Sequence, residues 1–152
     1  MAVRPRPLLK TAYQVAVVTA AFTGFGNMPL WGRYYVSDIL GLGWTSDFIV
    51  NVNIHILAGS LLLGIGAYLL TGRLVTDDRR RVTVTVAGRI RGVLMASALA
   101  TGILMVVKNL PGIHFSLTTL LIFNLAHMGA AVLFMLAALV ALIFRQPWTR
   151  VR

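Results

Sequence analysis

The stretch FIVNVNIHILAGSLLLGIGAYLL, residues 48–70, decides the fold because it contains no charged side chain and is long enough to cross a membrane. A hydrocarbon core of about 30 Å takes about 20 helical residues to span. The stretch also contains a histidine, His55, although an imidazole loses hydrogen bonds to water when it enters an apolar environment. It therefore predicts a transmembrane helix that carries a candidate functional residue.

The rest of the chain has the composition of an integral membrane protein. Of its 152 residues, 58% are hydrophobic and 12% are charged, and the mean hydropathy is +0.82. Long apolar runs predict four transmembrane helices, at about residues 11–30, 48–71, 92–107 and 116–144. These runs show no alternation of apolar and polar residues, which disfavours a β-barrel. We expect an all-α fold, a four-helix transmembrane bundle that forms a single domain over residues 1–152.

Two of the four spans have unusual ends. The third is the shortest, since only the run between Arg91 and Lys108 is uncharged, and we expect both side chains to reach the headgroups. The first follows basic residues, as a signal peptide would, but it lacks a small-residue cleavage site after it. Trp31, Tyr34 and Tyr35 follow it instead and resemble an interfacial aromatic belt. The sequence therefore predicts that the first span is retained.

The positive charges predict the orientation of the spans. All but two of the 14 Lys and Arg residues lie near the termini or in the connection at residues 72–91, and the exceptions are Arg33 and Lys108. By the positive-inside rule, both termini and that connection are cytoplasmic, and the protein is a multi-pass protein of the inner (cytoplasmic) membrane. The net charge of +10 follows from this distribution. We expect membrane lipids, and not nucleic acid, to be the partners of these cations.

Two of the three histidines fall inside predicted spans. At a rise of about 1.5 Å per residue, His55 lies roughly 11 Å from Phe48 and His127 roughly 17 Å from Ser116, the predicted outer ends of their helices. Two neutral imidazoles at similar depth on different helices are able to bind one haem b iron from opposite sides. The alternative is ordinary hydrogen bonding between helices. Because ionisable residues inside a membrane are functional candidates by default, we favour the haem.

Glycines near these histidines leave room for a flat macrocycle. Gly59 lies one turn below His55, Gly129 lies two residues after His127, and Gly102 lies in the third span. Small residues serve equally well in tight packing between membrane helices, so the glycines alone do not decide between the two roles.

Other polar residues are candidates for contacts with haem propionates or with a quinone. Asn124 lies one turn above His127 on nearly the same face. Together with Asn51 and Asn53, it is a candidate for quinone contact, for hydrogen bonding between helices or for orienting an imidazole. The donors at the predicted outer boundary are Arg33, Trp44, Lys108 and His114. The last two have simpler alternatives, as a helix anchor and as an ordinary interfacial histidine.

Three short motifs carry a family resemblance that covers most of the chain. They are TGFGNMPLWGRYY at residues 23–35, NIHILAG at 53–59 and NLAHMGA at 124–130. Their layout resembles that of the membrane cytochrome b subunits of formate dehydrogenases and nickel-iron hydrogenases. The resemblance implies an outer haem held by His55 and His127. The family's inner haem needs histidines in the first and fourth spans, at positions where this chain has Tyr13 and Gln14, and Ala141. It therefore implies a reduced form with one haem.

The resemblance also implies a function. Such a subunit transfers electrons between an extracytoplasmic iron-sulfur or cytochrome c partner and the quinone pool, and it anchors that partner to the membrane. The chain contains no cysteine, which excludes a covalently attached c-type haem and a cysteine-ligated cluster in this subunit. The subunit is then part of an oxidoreductase complex and not a catalyst on its own.

Two other functions are compatible with the sequence. One is a cofactor-free scaffold that anchors a redox or photosynthetic complex, and the other is a chlorophyll-binding subunit in which each imidazole separately binds a magnesium. The four acidic residues all lie outside the apolar runs, so proton pumping through buried carboxylates is not supported. The alternating Val and Thr residues at 82–86 predict either a short strand or an extended linker.

Overall fold

The computed structural model describes residues 7–75 and 82–151, and most of these residues are helical. The elements in chain order are α1 (Pro7–Gly26), α2 (Pro29–Arg33), α3 (Phe48–Val75), β1 (Val82–Val84), α4 (Val86–Val107), α5 (Leu117–Ile143) and β2 (Thr149–Val151). Two 3-10 turns, Val36–Asp38 and Gly43–Ser46, lie between α2 and α3. The chain divides into two compact units, residues 1–75 and residues 76–152.

Four helices, α1, α3, α4 and α5, are long and apolar enough to cross a membrane, which indicates a multi-pass membrane protein. The prediction of four mainly helical spans is confirmed at this level. One small element of sheet accompanies them, because β1 and β2 pair in antiparallel register. The single bundle and the cytoplasmic termini stay predictions. Several of the cations used to predict the orientation lie outside the described residues: Arg4, Arg6, Arg79, Arg80, Arg81 and Arg152.

The first span differs from its prediction because a proline interrupts it. The predicted helix ran to residue 30, whereas α1 ends at Gly26 and α2 begins at Pro29. Proline disfavours the helical conformation at the residue before it, and Met28 is extended with φ −82° and ψ 145°. Pro29 and the aromatic residues that follow α1 therefore belong to a folded connection and not to the span.

The third span starts earlier than predicted, at Val86 instead of residue 92. Thr85 caps the start of α4, since its hydroxyl oxygen accepts a hydrogen bond from the Gly88 backbone N–H at 2.9 Å. Arg91 therefore lies inside the helix and not at its end. Its guanidinium donates to the backbone oxygen of Gln146 at 3.0 Å and lies over the Trp148 ring at 4.3 Å from the ring centre. The expectation that Arg91 reaches out to the headgroups is replaced by this contact within the protein.

The first unit is an antiparallel hairpin of α1 and α3. The end of α1 faces the beginning of α3, because Asn51 donates from its amide nitrogen to the Thr23 backbone oxygen at 3.1 Å. The connection between these helices folds back onto α1. In it, the Trp31 indole donates to the Thr45 hydroxyl at 2.9 Å, and the Phe22 ring lies edge-on to Trp31. These contacts hold the connection between α2 and α3 against the end of α1.

The second unit is an antiparallel hairpin of α4 and α5, closed at its base by the C-terminal strand. The Thr85 hydroxyl donates to the backbone oxygen of Pro147 at 2.7 Å, and β2 pairs with β1 next to this point. Gly88 is required here, since a Cβ at this position would clash with the Trp148 backbone oxygen. Of the two alternatives for residues 82–86, the strand at Val82–Val84 is therefore the one observed.

Large apolar side chains cover the outer faces of the helices. Examples are Leu57 on α3 and Leu142 on α5, which are 70% and 75% exposed. A water-soluble protein rarely exposes such continuous apolar surface, whereas lipid tails are as apolar as leucine. Inside each hairpin few side chains are buried, and most of these are small or polar. The half-buried imidazoles of His55 and His127 are therefore among the larger side chains that lie between the helices.

Candidate cofactor site

His55 lies in the second turn of α3 and is held against α1. Its Nδ1 atom is 3.0 Å from the backbone oxygen of Ala20 and 3.1 Å from the hydroxyl of Thr23. The Thr23 side chain is fully buried, and its hydroxyl donates to the Thr19 backbone oxygen at 2.7 Å. The imidazole is half-buried. One face of α1 therefore presents two oxygen atoms to one ring nitrogen.

His127 lies in the middle of α5 and is held against α4 in the same way. Its Nδ1 atom is 3.0 Å from the backbone oxygen of Ala98 and 3.1 Å from the hydroxyl of Thr101. The Thr101 hydroxyl donates to the Ser97 backbone oxygen at 2.7 Å. The corresponding distances in the two units are equal, although the two helical pairs share no element.

These contacts determine the form of each ring. A backbone carbonyl only accepts hydrogen bonds, so the Nδ1 atom that contacts it carries the proton. Each threonine hydroxyl uses its own hydrogen on the helix backbone, and its oxygen is then an acceptor for the same Nδ1–H. In a neutral imidazole with Nδ1 protonated, the lone pair is on Nε2. Each unit thus prepares Nε2 as a potential metal ligand.

A glycine on the opposite helix allows each ring to lie close to the backbone. A Cβ added at Gly24 would lie 3.2 Å from the Cε1 atom of His55, and a Cβ added at Gly102 would lie 3.2 Å from the Cε1 atom of His127. This distance is shorter than ordinary van der Waals contact, so an alanine would push the ring. Gly102 was among the glycines noted from the sequence, and Gly24 was missed as a residue that contacts a histidine.

Gly59 and Gly129, which lie on the same helices as the histidines, do not make such close contacts with the residues that the structure describes. A Cβ added at Gly59 or at Gly129 would meet no heavy atom within 4 Å in the described part of the chain. Neither position is therefore explained by a close contact with another helix among these residues. Their contact with a macrocycle stays a prediction.

The polar residues near the histidines differ between the two units. Asn51, one turn before His55, is buried and bonds to the Thr23 backbone oxygen and, at 2.9 Å, to the Asn27 side chain. Asn51 thus joins α3 to α1. Asn124, by contrast, is exposed and donates to the Leu120 backbone oxygen of its own helix at 2.9 Å. Its predicted role toward a cofactor is not tested by this contact.

The predicted outer-boundary donors lie at the ends or outside of the long helices. Arg33 is the last residue of α2 in the first unit, whereas Lys108 caps the end of α4 and His114 is exposed in the connection before α5. Trp44 lies in the turn at Gly43–Ser46, with its ring centre 6.0 Å from that of Phe22. Contacts of these residues with propionates stay predictions.

The signal that could have revealed the supporting residues is a repeated pentapeptide pattern, Ala-x-x-Thr-Gly. It occurs at residues 20–24 in α1 and at residues 98–102 in α4. Positions i, i+3 and i+4 lie on one face of a helix, so the alanine, threonine and glycine meet the neighbouring helix together. The copy in α1 contacts His55 on α3, and the copy in α4 contacts His127 on α5.

Within residues 7–75 and 82–151, no group of three or more His, Cys, Asp or Glu side chains is placed to hold a metal ion. A haem iron needs only two axial protein ligands, since the porphyrin supplies the other four. Comparison of the chain with protein-family models, with curated proteins and with solved structures finds no match. The chemistry of the two histidines therefore has to be argued from their surroundings alone.

Proposed function

We propose that this protein is a membrane cytochrome b subunit, which binds one haem b through His55 and His127 and transfers electrons between an extracytoplasmic redox partner and the quinone pool. The observation that supports this proposal is that both imidazoles make the same hydrogen bonds to the opposite helix. In each unit the Nδ1–H donates to a backbone carbonyl of the opposite helix. Histidines that bind metals almost always donate their other ring N–H in this way.

Each imidazole by itself has the form that suits an axial ligand of a haem b. Such a haem needs two neutral rings with Nε2 as the ligand atom, and the tautomer argued above supplies this form in both units. It also needs an apolar surrounding, and both histidines lie on helices that are apolar enough to span a membrane. When bound, a haem b supplies reversible one-electron transfer. The protein supplies the two ligand nitrogens, their orientation and a medium of low dielectric constant.

The distribution of Lys and Arg residues supports the proposed orientation of the helices across the membrane. Arg33 is the last residue of α2, and Lys108 caps the end of α4. Arg73 lies near the end of α3, and Arg89 and Arg91 lie near the start of α4. By the positive-inside rule, the termini are then cytoplasmic, and Arg33 and Lys108 face the outside. On this side, His114, Arg33 and Lys108 are available to bind haem propionates or an acidic surface of the partner subunit.

The same orientation supports an anchoring role toward an extracytoplasmic iron-sulfur or cytochrome c subunit. The partner has to bring the next redox centre, because this chain lacks the cysteines that a cluster or a covalently bound haem requires. The proposed electron acceptor or donor within the membrane is a quinone, and Asn124, exposed on α5, is available to contact it. The subunit positions electron carriers and does not itself make or break substrate bonds.

The proposal is tested by a reduced-minus-oxidised absorption spectrum of the protein purified in mild detergent. We expect a sharp b-type absorption band, and we expect the pyridine derivative of the extracted pigment to be that of haem b. A chlorophyll spectrum would contradict the proposal and support separate magnesium ligation by each histidine. A protein that lacks any chromophore after expression with ample haem would also contradict it and support the cofactor-free scaffold.

A further inference from the structure

The two units contain the same half-site, built from the same residue types at the same distances. In each, a threonine hydroxyl and an alanine carbonyl on the first helix accept from the Nδ1–H of the histidine on the second helix. The glycine after the threonine lies against the Cε1 atom of the ring. Spacing along the chain differs, since the threonine precedes the histidine by 32 residues in the first unit and by 26 in the second. The two half-sites therefore have the same contacts between helices, although the connections between their helices differ in length.

The hydroxyl hydrogen of each threonine is directed away from the histidine. Thr23 donates to Thr19 and Thr101 donates to Ser97, both at 2.7 Å, which turns an oxygen lone pair toward the ring. A threonine that donated to the ring nitrogen would instead favour the opposite tautomer, with the Nδ1 lone pair occupied. The alanine carbonyl and the lone pair of the threonine oxygen, both on the opposite helix, therefore together keep the proton on Nδ1.

We propose that Thr23 and Thr101 are equivalent positioning residues, which hold His55 and His127 in one orientation with Nδ1 protonated and give both Nε2 atoms the same donor strength. The part of this proposal that concerns redox tuning rests on the proposed haem function. An acceptor on Nδ1–H increases the electron density of the ring and so stabilises the ferric form of a bound iron. Removal of either hydroxyl raises the midpoint potential.

Equivalence of the two half-sites makes a quantitative expectation possible. Thr23→Val and Thr101→Val remove one acceptor each, and each leaves the alanine carbonyl in place. The two variants should shift the midpoint potential in the positive direction by equal amounts, and the double variant should show the sum of both shifts. Thr23→Ser and Thr101→Ser keep the hydroxyl and should restore the potential of the unchanged protein.

The controls are matched threonines that do not contact a histidine. Thr11 on α1 is exposed and donates to the Pro7 backbone oxygen of its own helix at 3.1 Å, so Thr11→Val makes the same chemical change in the same helix. Thr118 is exposed near the start of α5, so Thr118→Val serves the second unit. Both controls should leave the midpoint potential unchanged.

A second readout needs no bound haem. With 15N-labelled histidine in phosphatidylcholine nanodiscs, the Nδ1–H proton of each ring is observed by NMR in protein produced under haem limitation. We expect Thr23→Val to move the His55 signal upfield and leave the His127 signal in place, and we expect Thr101→Val to do the reverse. His55→Gln and His127→Gln assign the two signals.

The two readouts separate the two proposals. If the Nδ1–H signal in Thr23→Val matches that in Thr11→Val, the positioning role is wrong even if the protein binds haem. Unequal or opposite potential shifts in Thr23→Val and Thr101→Val overturn the equivalence of the half-sites. If the NMR shifts appear as expected but the protein binds no haem, the proposed function is wrong and the positioning of the rings is supported.

Discussion

Replacement of His55 or of His127 by alanine is expected to abolish haem binding, whereas replacement of His114 should leave it intact. Each of the first two substitutions removes one of the two proposed ligands, and the proposed site needs both imidazoles to hold the haem. His114 is exposed in the connection before α5 and lies outside the two half-sites. The measurement is the haem content of the purified variants, as the ratio of the b-type absorption to protein.

A substitution inside a helical hairpin can also lower stability, so a second pair of variants is needed. In His55→Asn and His127→Asn the side-chain amide nitrogen is bonded to Cγ, as Nδ1 is, and is able to donate to the alanine carbonyl that accepts from Nδ1–H, which preserves the link between the helices. We expect these variants to show the helical content of the unchanged protein by circular dichroism and to lack haem. Full haem content in any of the four variants would contradict the assignment of that histidine as a ligand.

Alanine at Gly24 or at Gly102 is expected to weaken haem binding by roughly tenfold or more. The added Cβ would lie 3.2 Å from the Cε1 atom of the histidine, so the ring has to move away from the backbone. Overpacking of this kind costs about 1–3 kcal/mol, and about 1.4 kcal/mol corresponds to a tenfold change in affinity. The displaced ring no longer presents Nε2 where the structure has it, so the cost opposes haem binding. Haem titration of the apoprotein measures the effect.

Each of these glycines has a control in its own unit. Gly92 on α4 and Gly66 on α3 are positions where an added Cβ would meet no heavy atom within 4 Å among the described residues, so Gly92→Ala and Gly66→Ala should bind haem normally. Gly59→Ala and Gly129→Ala give separate information. They have the same open surroundings, and a loss of affinity there would indicate that the macrocycle lies over these positions, which is one of the two roles that the sequence leaves open. Unchanged affinity in Gly24→Ala and Gly102→Ala would show that the rings do not stay where the structure has them when haem binds.

The sequence predicts the helices well because hydropathy acts over long runs. It predicts the ends of the helices less well, since these depend on single local contacts. Pro29 ends the first span through the conformation of the residue before it, whereas a hydropathy window passes over it. The charge of Arg91 predicts that it ends the third span, but a carbonyl and an indole from the C-terminal segment contact its guanidinium inside the helix. A charge inside a helix is acceptable wherever tertiary structure supplies such partners.

The histidines are visible in the sequence, whereas their supports are not. His55 and His127 stand out because ionisable side chains are rare in apolar runs. The residues that hold them lie on the preceding long helix, and contact between two helices depends on their rotation and register, which hydropathy does not reveal. Proximity in sequence therefore points to Gly59 and Gly129, while the close contacts come from Gly24 and Gly102. The repeated Ala-x-x-Thr-Gly pattern carries the missing information.

The proposed function requires His55 and His127 to bind the same iron. The most direct measurement is the haem content of the purified, unchanged protein together with the electron paramagnetic resonance spectrum of its oxidised form. We expect one haem per chain and a low-spin ferric spectrum of the bis-imidazole type, with no high-spin signal. A high-spin signal from an iron with a single histidine, or two haems per chain that are each lost with a different histidine, would contradict the shared site.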